Sequence, residues 1–478
     1  MNVSEFNKLE RATDAGRPLF RPPAPAPLAA PLGPFAMLAA LRRNPIETWT
    51  RAHFEHFILS GRTILGHVAV VSAPDGIRRI LVENADNYRK DALQRRILAP
   101  GLGDGLLTAQ DARWRAQRRA AAPLFAPKNV FSFGAPMAAA ADALVERWLR
   151  RRDGAIIDVQ KAMARVTLDT LQRTILADGL GCAPEDFMAA LTDYFESIGQ
   201  LDPFDLLDLP SWLPRVTRLR SRKSLAFFND AVEAILTRRK ARLAADPDGV
   251  PRDLLTLLLE AQHPQDGIGL TDAEVRANIV TFIGAGHETT ANALTWTLFL
   301  LAHSQEWQAR LAHEADGVGD APPEAQAQTL VETRAVIEEA MRLYPPVASL
   351  SRAAVGPDDI LGRRIRKGTL VMIVPWILHR HRLLWDEPDA FDPRRFLPGA
   401  REAIDRFAYL PFGAGPRVCI AASFALQEAV IVLARIMRQF HLRPVAHHEV
   451  RPVQHITLRP QGGMPLIVEK RRGLHPNA

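Results

Sequence analysis

Cysteine is scarce: the 478 residues contain only Cys182 and Cys419. A disulfide scaffold is therefore excluded as the organising device, and the usage suits a reducing compartment. Long hydrophobic runs are missing too. No stretch of about eighteen consecutive apolar residues occurs, and the apolar stretch from Pro18 to Leu41 is broken by Arg21 and by repeated prolines. No spanning helix and no secretory leader are expected. An excess of one charge sign is also lacking, because 60 Lys and Arg stand against 53 Asp and Glu and leave a net charge of +7. The basic residues are interspersed with acids, so a nucleic-acid partner is not expected; a modest basic surface suits an acidic protein partner.

What is present is ordinary for a globular protein, with 24% charged and 47% apolar residues. That balance argues against disorder and for a sizeable core. Length alone suggests two or three domains. Residues 1–17 are polar, and Pro22, Pro23, Pro25, Pro27, Pro31 and Pro34 form an extended lead-in. Thr63 to Val71 reads as strand and Pro74 to Glu83 as a short helix opened by its proline. Lys90 to Leu107, with Pro100, Gly101, Gly103 and Gly105, reads as loop. Asp111 opens a helix in which Trp114 and Arg118, four apart, share a face. Ala138 to Leu176 and Pro184 to Ile198 read as amphipathic helices, with Cys182 structural between them. Leu201 to Pro214 is an apolar, proline-studded connection. Thr369 to Ile377 reads as strand, and Ile456 to Val468 as a hairpin turning at Gln461, Gly462 and Gly463.

Two stretches carry chemistry. The first is Phe412-Gly413-Ala414-Gly415-Pro416-Arg417-Val418-Cys419, followed by helical spacing from Ala421 to Phe440. A thiol at a helix N-terminus meets the positive end of the dipole, so its ionised form, a soft metal ligand, is favoured. Arg417 offers a planar fork suited to a carboxylate. The second begins at the capping box Thr271-Asp272-Ala273-Glu274, after which helical spacing continues to about Ala302. Gly284 and Gly286 lie in its middle, each costing about 1 kcal/mol relative to Ala. Such residues fit a helix that packs closely, or that lets something flat approach and opens locally for a small ligand. Ala285, Thr289 and Ala293 form a stripe of small side chains on one face, and the Thr289 hydroxyl is in reach of the Ala285 carbonyl. The bland readings are a surface carboxylate at Glu288 and packing at Thr289 and His287.

Phe-Gly-x-Gly-x-Arg-x-Cys ahead of a helix resembles the haem-binding signature of the cytochrome P-450 family, the haem-thiolate monooxygenases. The residue two after the cysteine, usually Gly there, is Ala421 here. Trp114-x-x-x-Arg118, Ala285-Gly-x-Glu288-Thr289, Glu339-x-x-Arg342 and Pro393-x-Arg395-Phe396 follow the family's order, so the resemblance covers the chain from about residue 60. It implies a mainly α fold with a small β region, a helix-rich triangular prism with a long central helix over the haem. One domain would span 41–478 after the Pro-rich lead-in of 1–40.

The resemblance further implies haem b, iron protoporphyrin IX, with Cys419 as the proximal iron ligand. Arg417, Arg118 and Arg352 would meet the propionates, and Phe412, Gly413, Gly415, Trp114 and Ala285 would line the cofactor. Thr289 would steady dioxygen and Glu288 would link it to solvent protons. Glu339, Arg342 and Arg395 would be the buried charge cluster behind the cysteine loop. The implied activity is monooxygenation of an apolar fatty acid, terpenoid or steroid-like substrate. Electrons would come from NAD(P)H through a separate ferredoxin or flavodoxin with its reductase, since no flavin or iron–sulfur motif occurs. The Leu201 to Pro214 connection would cap the substrate entrance, and pocket residues are expected in 90–107, 194–222, 347–351 and 461–464. The implied setting is soluble and cytoplasmic, like the family's bacterial-type members, with no membrane anchor and with peripheral membrane contact left open. Alternatives are a peroxygenase or isomerase on the same fold, which would lack or alter the Glu288-Thr289 pair, and a non-catalytic haem sensor or electron carrier.

Overall fold

A 31-residue helix, Asp272–Ala302, runs through the core of the computed structural model, which describes residues 19–63, 66–199, 216–261, 269–319 and 321–471. At 1.5 Å per residue that helix is about 45 Å long. Its first turn is closed reciprocally: Thr271 Oγ1 accepts from the Glu274 amide at 3.3 Å, and Glu274 Oε2 accepts from the Thr271 amide at 3.0 Å. From Ala291 to Ala302 every residue is buried, the pattern of a helix enclosed on all sides. Trp296 stacks on Tyr344 at 3.9 Å between ring centroids. The helices Val159–Ile175, Val331–Leu343 and Ala422–Gln439 pack against it. Gly286 faces the first of these, where a Cβ would come within 3.2 Å of Leu171 Cδ2. Close packing thus accounts for that glycine. The helix runs unbroken through Gly284–Thr290, so it does not open locally here.

The β structure is small and lies beside the helices. One sheet has five strands in the order Ile58–Thr63, Gly66–Val71, Leu370–Ile373, Leu350–Ala354 and Tyr88–Arg89. Gly66–Val71 pairs in parallel with Leu370–Ile373, and the other pairings are antiparallel. A second sheet joins Ala155–Asp158, Pro465–Lys470 and Phe440–Pro444. Pro452–Gln454 and Leu458–Pro460 form a separate antiparallel hairpin.

Several local expectations are corrected. Residues 90–107 are not all loop: Ala92–Leu102 is helical in spite of Pro100 and Gly101. Asp91 caps it by accepting from the Gln94 amide at 2.9 Å, Leu98 and Leu102 are buried, and Gly103 ends it at φ +65°. Between Ala138 and Leu176 the two helices Gly134–Leu149 and Val159–Ile175 are separated by the strand Ala155–Asp158, whose short run has too few residues to stand out from helical spacing. Thr369 to Ile377 divides into the strand Leu370–Ile373 and a helical turn Pro375–Leu378, because Pro375 suits a helix start and cannot donate to a ladder. The Gln461-Gly462-Gly463 turn does not close a hairpin either. Pro465–Lys470 after it pairs with Phe440–Pro444 and Ala155–Asp158, while the hairpin loop is His455-Ile456-Thr457.

Residues 1–17 and the connection Leu201 to Pro214 lie outside the described residues. The described lead-in is docked: Phe20 stacks on His303 at 4.4 Å, Tyr344 donates to the Pro23 carbonyl at 2.7 Å, and Leu28 bridges to Thr50. Helix Pro34–Arg43 follows. Cys182 is half-buried against the core.

Candidate haem-thiolate active site

A cavity of about 1450 Å³ lies between the central helix and the cysteine loop. That exceeds the several hundred Å³ typical of a pocket for one small ligand. Gly284, Ala285, Thr289 and Ala293 line one side; Phe412, Gly413 and Cys419 line another.

The loop's geometry depends on two left-handed glycines, Gly413 at φ +71° and Gly415 at φ +72°. A Cβ on Gly415 would collide with the Leu81 carbonyl oxygen, so only glycine lets the backbone pass. Cys419 donates its amide to the Phe412 carbonyl at 2.9 Å, and Val418 donates to Gly415 at 3.0 Å, which closes the loop beneath the cavity. Cys419 is exposed where it lines the cavity. The following helix is Ala422–Gln439 with Ala421 as its N-cap, so Cys419 lies two residues ahead of the cap. Burial pushes the Cys419 thiol up, against the Ala421 amide and Arg118, which both pull it down. The bound metal itself would ionise such a ligand, as coordination does for thiols generally.

Four basic side chains converge on the same cavity: Arg118, Arg352, Arg417 and Lys90. Burial pulls all four pKa values down. Arg417 falls to about 10 through burial and then the nearby Arg352, with Asp111 opposing. Lys90 falls to about 7 through burial, then Arg417 and Arg352, with Asp91 opposing. Arg417 caps the Trp114 ring at 4.2 Å and donates to the Ala109 carbonyl at 3.1 Å from both terminal nitrogens. Arg352 donates to the Ser351 carbonyl at 2.8 Å. The Asp91 carboxylate is already engaged by the Ser351 hydroxyl and caps its own helix. Clustered cations outnumbering their acids are the chemistry of a site for an anionic group. Lys90 and Asp91 fall in the expected pocket segment 90–107, but their place in this charged cluster was not foreseen, because a single Lys-Asp pair has no diagnostic spacing.

On the central helix the Thr289 hydroxyl donates to the Ala285 carbonyl at 2.6 Å. Glu288 also lines the cavity, and its Oε1 accepts from Thr457 Oγ1 at 2.6 Å. His287 turns the other way and is buried; burial lowers its pKa to about 4, opposed by a bond to the Ala164 carbonyl. It is a packing residue.

Behind the cysteine loop, Glu339 and Arg342 are fully buried and joined twice, at 2.6 and 2.8 Å. Arg342 also donates to the carbonyls of His379 and Pro388 at 2.7 Å and of Ala390 at 2.9 Å. Arg395 approaches Glu339 at 3.6 Å, and the Asp392 amide donates to it at 2.9 Å. One carboxylate and two guanidinium groups thus tie the helix Val331–Leu343 to the segment 388–395.

The pocket expectations divide. Residues from 90–107 and 347–351 line the cavity, most of 194–222 lies outside the described residues, and Gln461 to Gly463 face a second, smaller cavity. Gln454 to Thr457 line the main cavity instead.

The family model for cytochrome P-450 matches residues 56–467. The chain belongs to the cytochrome P-450 family. It is an oxidoreductase of the haem-dependent monooxygenase class. Similar proteins include cyclooctatin synthase of Streptomyces melanosporofaciens, 32% identical over 93% of this chain and 95% of that one. Pentalenene oxygenase of Streptomyces avermitilis is 32% identical over 73% of this chain and 76% of its own. Leukotriene-B4 omega-hydroxylase 3 of mouse is 30% identical over 83% and 79%. The residues present fit haem. Among the described residues no three His, Cys, Asp or Glu form a metal-binding group, so Cys419 would be a lone protein ligand, and a ring supplying the remaining ligands suits it. The cations at the cavity edge suit that ring's carboxylates. No helix among the described residues is long and apolar enough to cross a membrane.

Proposed function

We propose that this protein oxidises an apolar fatty acid, terpenoid or steroid-like substrate with dioxygen, using NAD(P)H electrons delivered by a separate ferredoxin or flavodoxin and its reductase. The observation that carries this reading is the large cavity bounded by Cys419, the small-residue face of the central helix and apolar walls. Relatives named for cyclooctatin, pentalenene and leukotriene B4 support the same substrate class. Haem, when bound, supplies the reductive activation of dioxygen, with electron density from the thiolate. Cys419 would hold the cofactor's metal, and Arg118, Arg352, Arg417 and Lys90 would pair with its carboxylates. Ala285 and Ala293, with side chains of one carbon, would leave room for a planar ring beside the central helix. Apolar side chains such as Ile97, Leu98 and Phe282 exclude water and hold the substrate by burial.

Glu288 and Thr289 are adjacent, and both reach the cavity. The Glu288 carboxylate would pick up a solvent proton delivered as hydronium, and the Thr289 hydroxyl, once swung from the Ala285 carbonyl, would give its own proton to the reduced dioxygen and be reprotonated from Glu288. We take residues 41–478 as one domain with 1–40 as its lead-in.

Titration of the purified, oxidised holoprotein with dodecanoic acid, a sesquiterpene and a steroid tests the substrate class. At least one should displace the water on the haem and shift its absorbance with saturation. A spectrum indifferent to all three would overturn the assignment.

A further inference from the structure

The tip of the hairpin formed by Pro452–Gln454 and Leu458–Pro460 does two things at once. Gln454, His455, Ile456 and Thr457 line the substrate cavity, and Thr457 also reaches the central helix. Its hydroxyl donates to Glu288 Oε1 at 2.6 Å, while Asn292 Nδ2 donates to Thr457 Oγ1 at 3.0 Å. Glu288 and Asn292 are four apart and so share a helix face. The order of donors sets a direction. With Asn292 occupying a lone pair of the threonine oxygen, the hydroxyl proton points at the carboxylate.

Thr457 is also held from behind. Leu458 donates its amide to the Pro346 carbonyl at 2.9 Å, and its own carbonyl accepts from Trp296 Nε1 at 3.1 Å. The His455 amide closes the tip onto the Thr457 carbonyl at 3.0 Å. Thr457 and Asn292 are both 3% exposed. A glutamate side chain has three rotatable bonds and, on an open cavity wall, several rotamers of similar energy. A buried, directed hydroxyl on a fixed backbone selects one of them.

We infer that Thr457 is a positioning residue for the Glu288 carboxylate, with Asn292 directing its hydroxyl. The inference rests on the reading of Glu288 as the proton carrier. It assigns the hairpin a part in proton handling besides its place in the substrate wall, so that one three-residue loop touches both the substrate and the acid.

The test uses full-length holoprotein reduced with dithionite under carbon monoxide, and reads the carbon monoxide stretching band by infrared spectroscopy. That band responds to the orientation of polar groups over the haem and needs neither substrate nor redox partner. Wild type and Thr457→Ser should each give one narrow band, whereas Thr457→Val, equal in shape but without the donor, should give a split or broadened one. Glu288→Gln should shift the band, and adding Thr457→Val to it should change nothing more. Haem absorbance per protein, unchanged in these variants, shows that the fold is kept. If Thr457→Val does not load haem, Asn292→Ala, which leaves the hydroxyl but removes what directs it, is read in the same way. A band identical to wild type in Thr457→Val, while Glu288→Gln shifts it, overturns the inference alone. A band unmoved by Glu288→Gln overturns the reading of Glu288 and the inference with it.

Discussion

Glu428 sits in the helix Ala422–Gln439 with 1% exposure. Burial raises its pKa from 4.5 to about 8, against a weaker pull from the Thr170 hydroxyl. The folded protein therefore keeps this proton up to about pH 8, while the unfolded chain releases it near 4.5. Across that window unfolding releases a proton, so rising pH destabilises the fold by about 1.4 kcal/mol per unit from this group. Glu428→Gln removes the linkage without changing the shape. Its thermal midpoint should exceed wild type by a margin that grows from pH 5 to pH 8; an offset equal at both ends would contradict the assignment. Residue chemistry of this kind was hidden in the sequence, where Glu428 reads as one more member of a helical repeat. So was Thr457, whose role depends on a neighbour 169 positions away in the chain.

The cysteine loop shows how an element turns glycine placement into a site. Gly413 and Gly415 both need positive φ, but only Gly415 abuts backbone, at Leu81. Gly413→Ala should cost only the left-handed strain, about 1–3 kcal/mol, and still load haem. Gly415→Ala adds a clash with a carbonyl that has no rotamer to escape into, so haem content per protein should fall to a small fraction of wild type. Equal haem loading in the two variants would contradict this account. The loop and the central helix were legible beforehand because their signals are local: a capping box, paired glycines, an unbroken 3.6 period. Helix Ala92–Leu102 was not, since its proline and glycines argue locally against it. Burial of Leu98 and Leu102 and the Asp91 cap outweigh that penalty.

At the scale of the molecule, Glu339 and Arg342 tie the helix Val331–Leu343 to a segment about fifty residues further on, which leads into the cysteine loop. Arg342→Ala would leave the Glu339 carboxylate fully buried with its main partner gone, and would strand three backbone carbonyls as well. Breaking one partner of such a pair costs about 3–5 kcal/mol, a large share of the total stability of a typical domain. Purified Arg342→Ala should be apoprotein or aggregate, by haem absorbance and size-exclusion elution. A stable, fully loaded variant would show that the cluster is dispensable.

The amino-acid sequence alone determined the family and the long helix, and it set out the cysteine loop and the Glu339–Arg342 pair, because each rests on short motifs or on a repeat whose members stand three or four positions apart. Only the tertiary structure decided which cations share the cavity edge, which hairpin reaches it and what holds Glu288. Those contacts join segments far apart in the chain, and their partners are chosen by burial and by the need of enclosed polar groups for hydrogen bonds. Neither leaves a mark in the local order of residues.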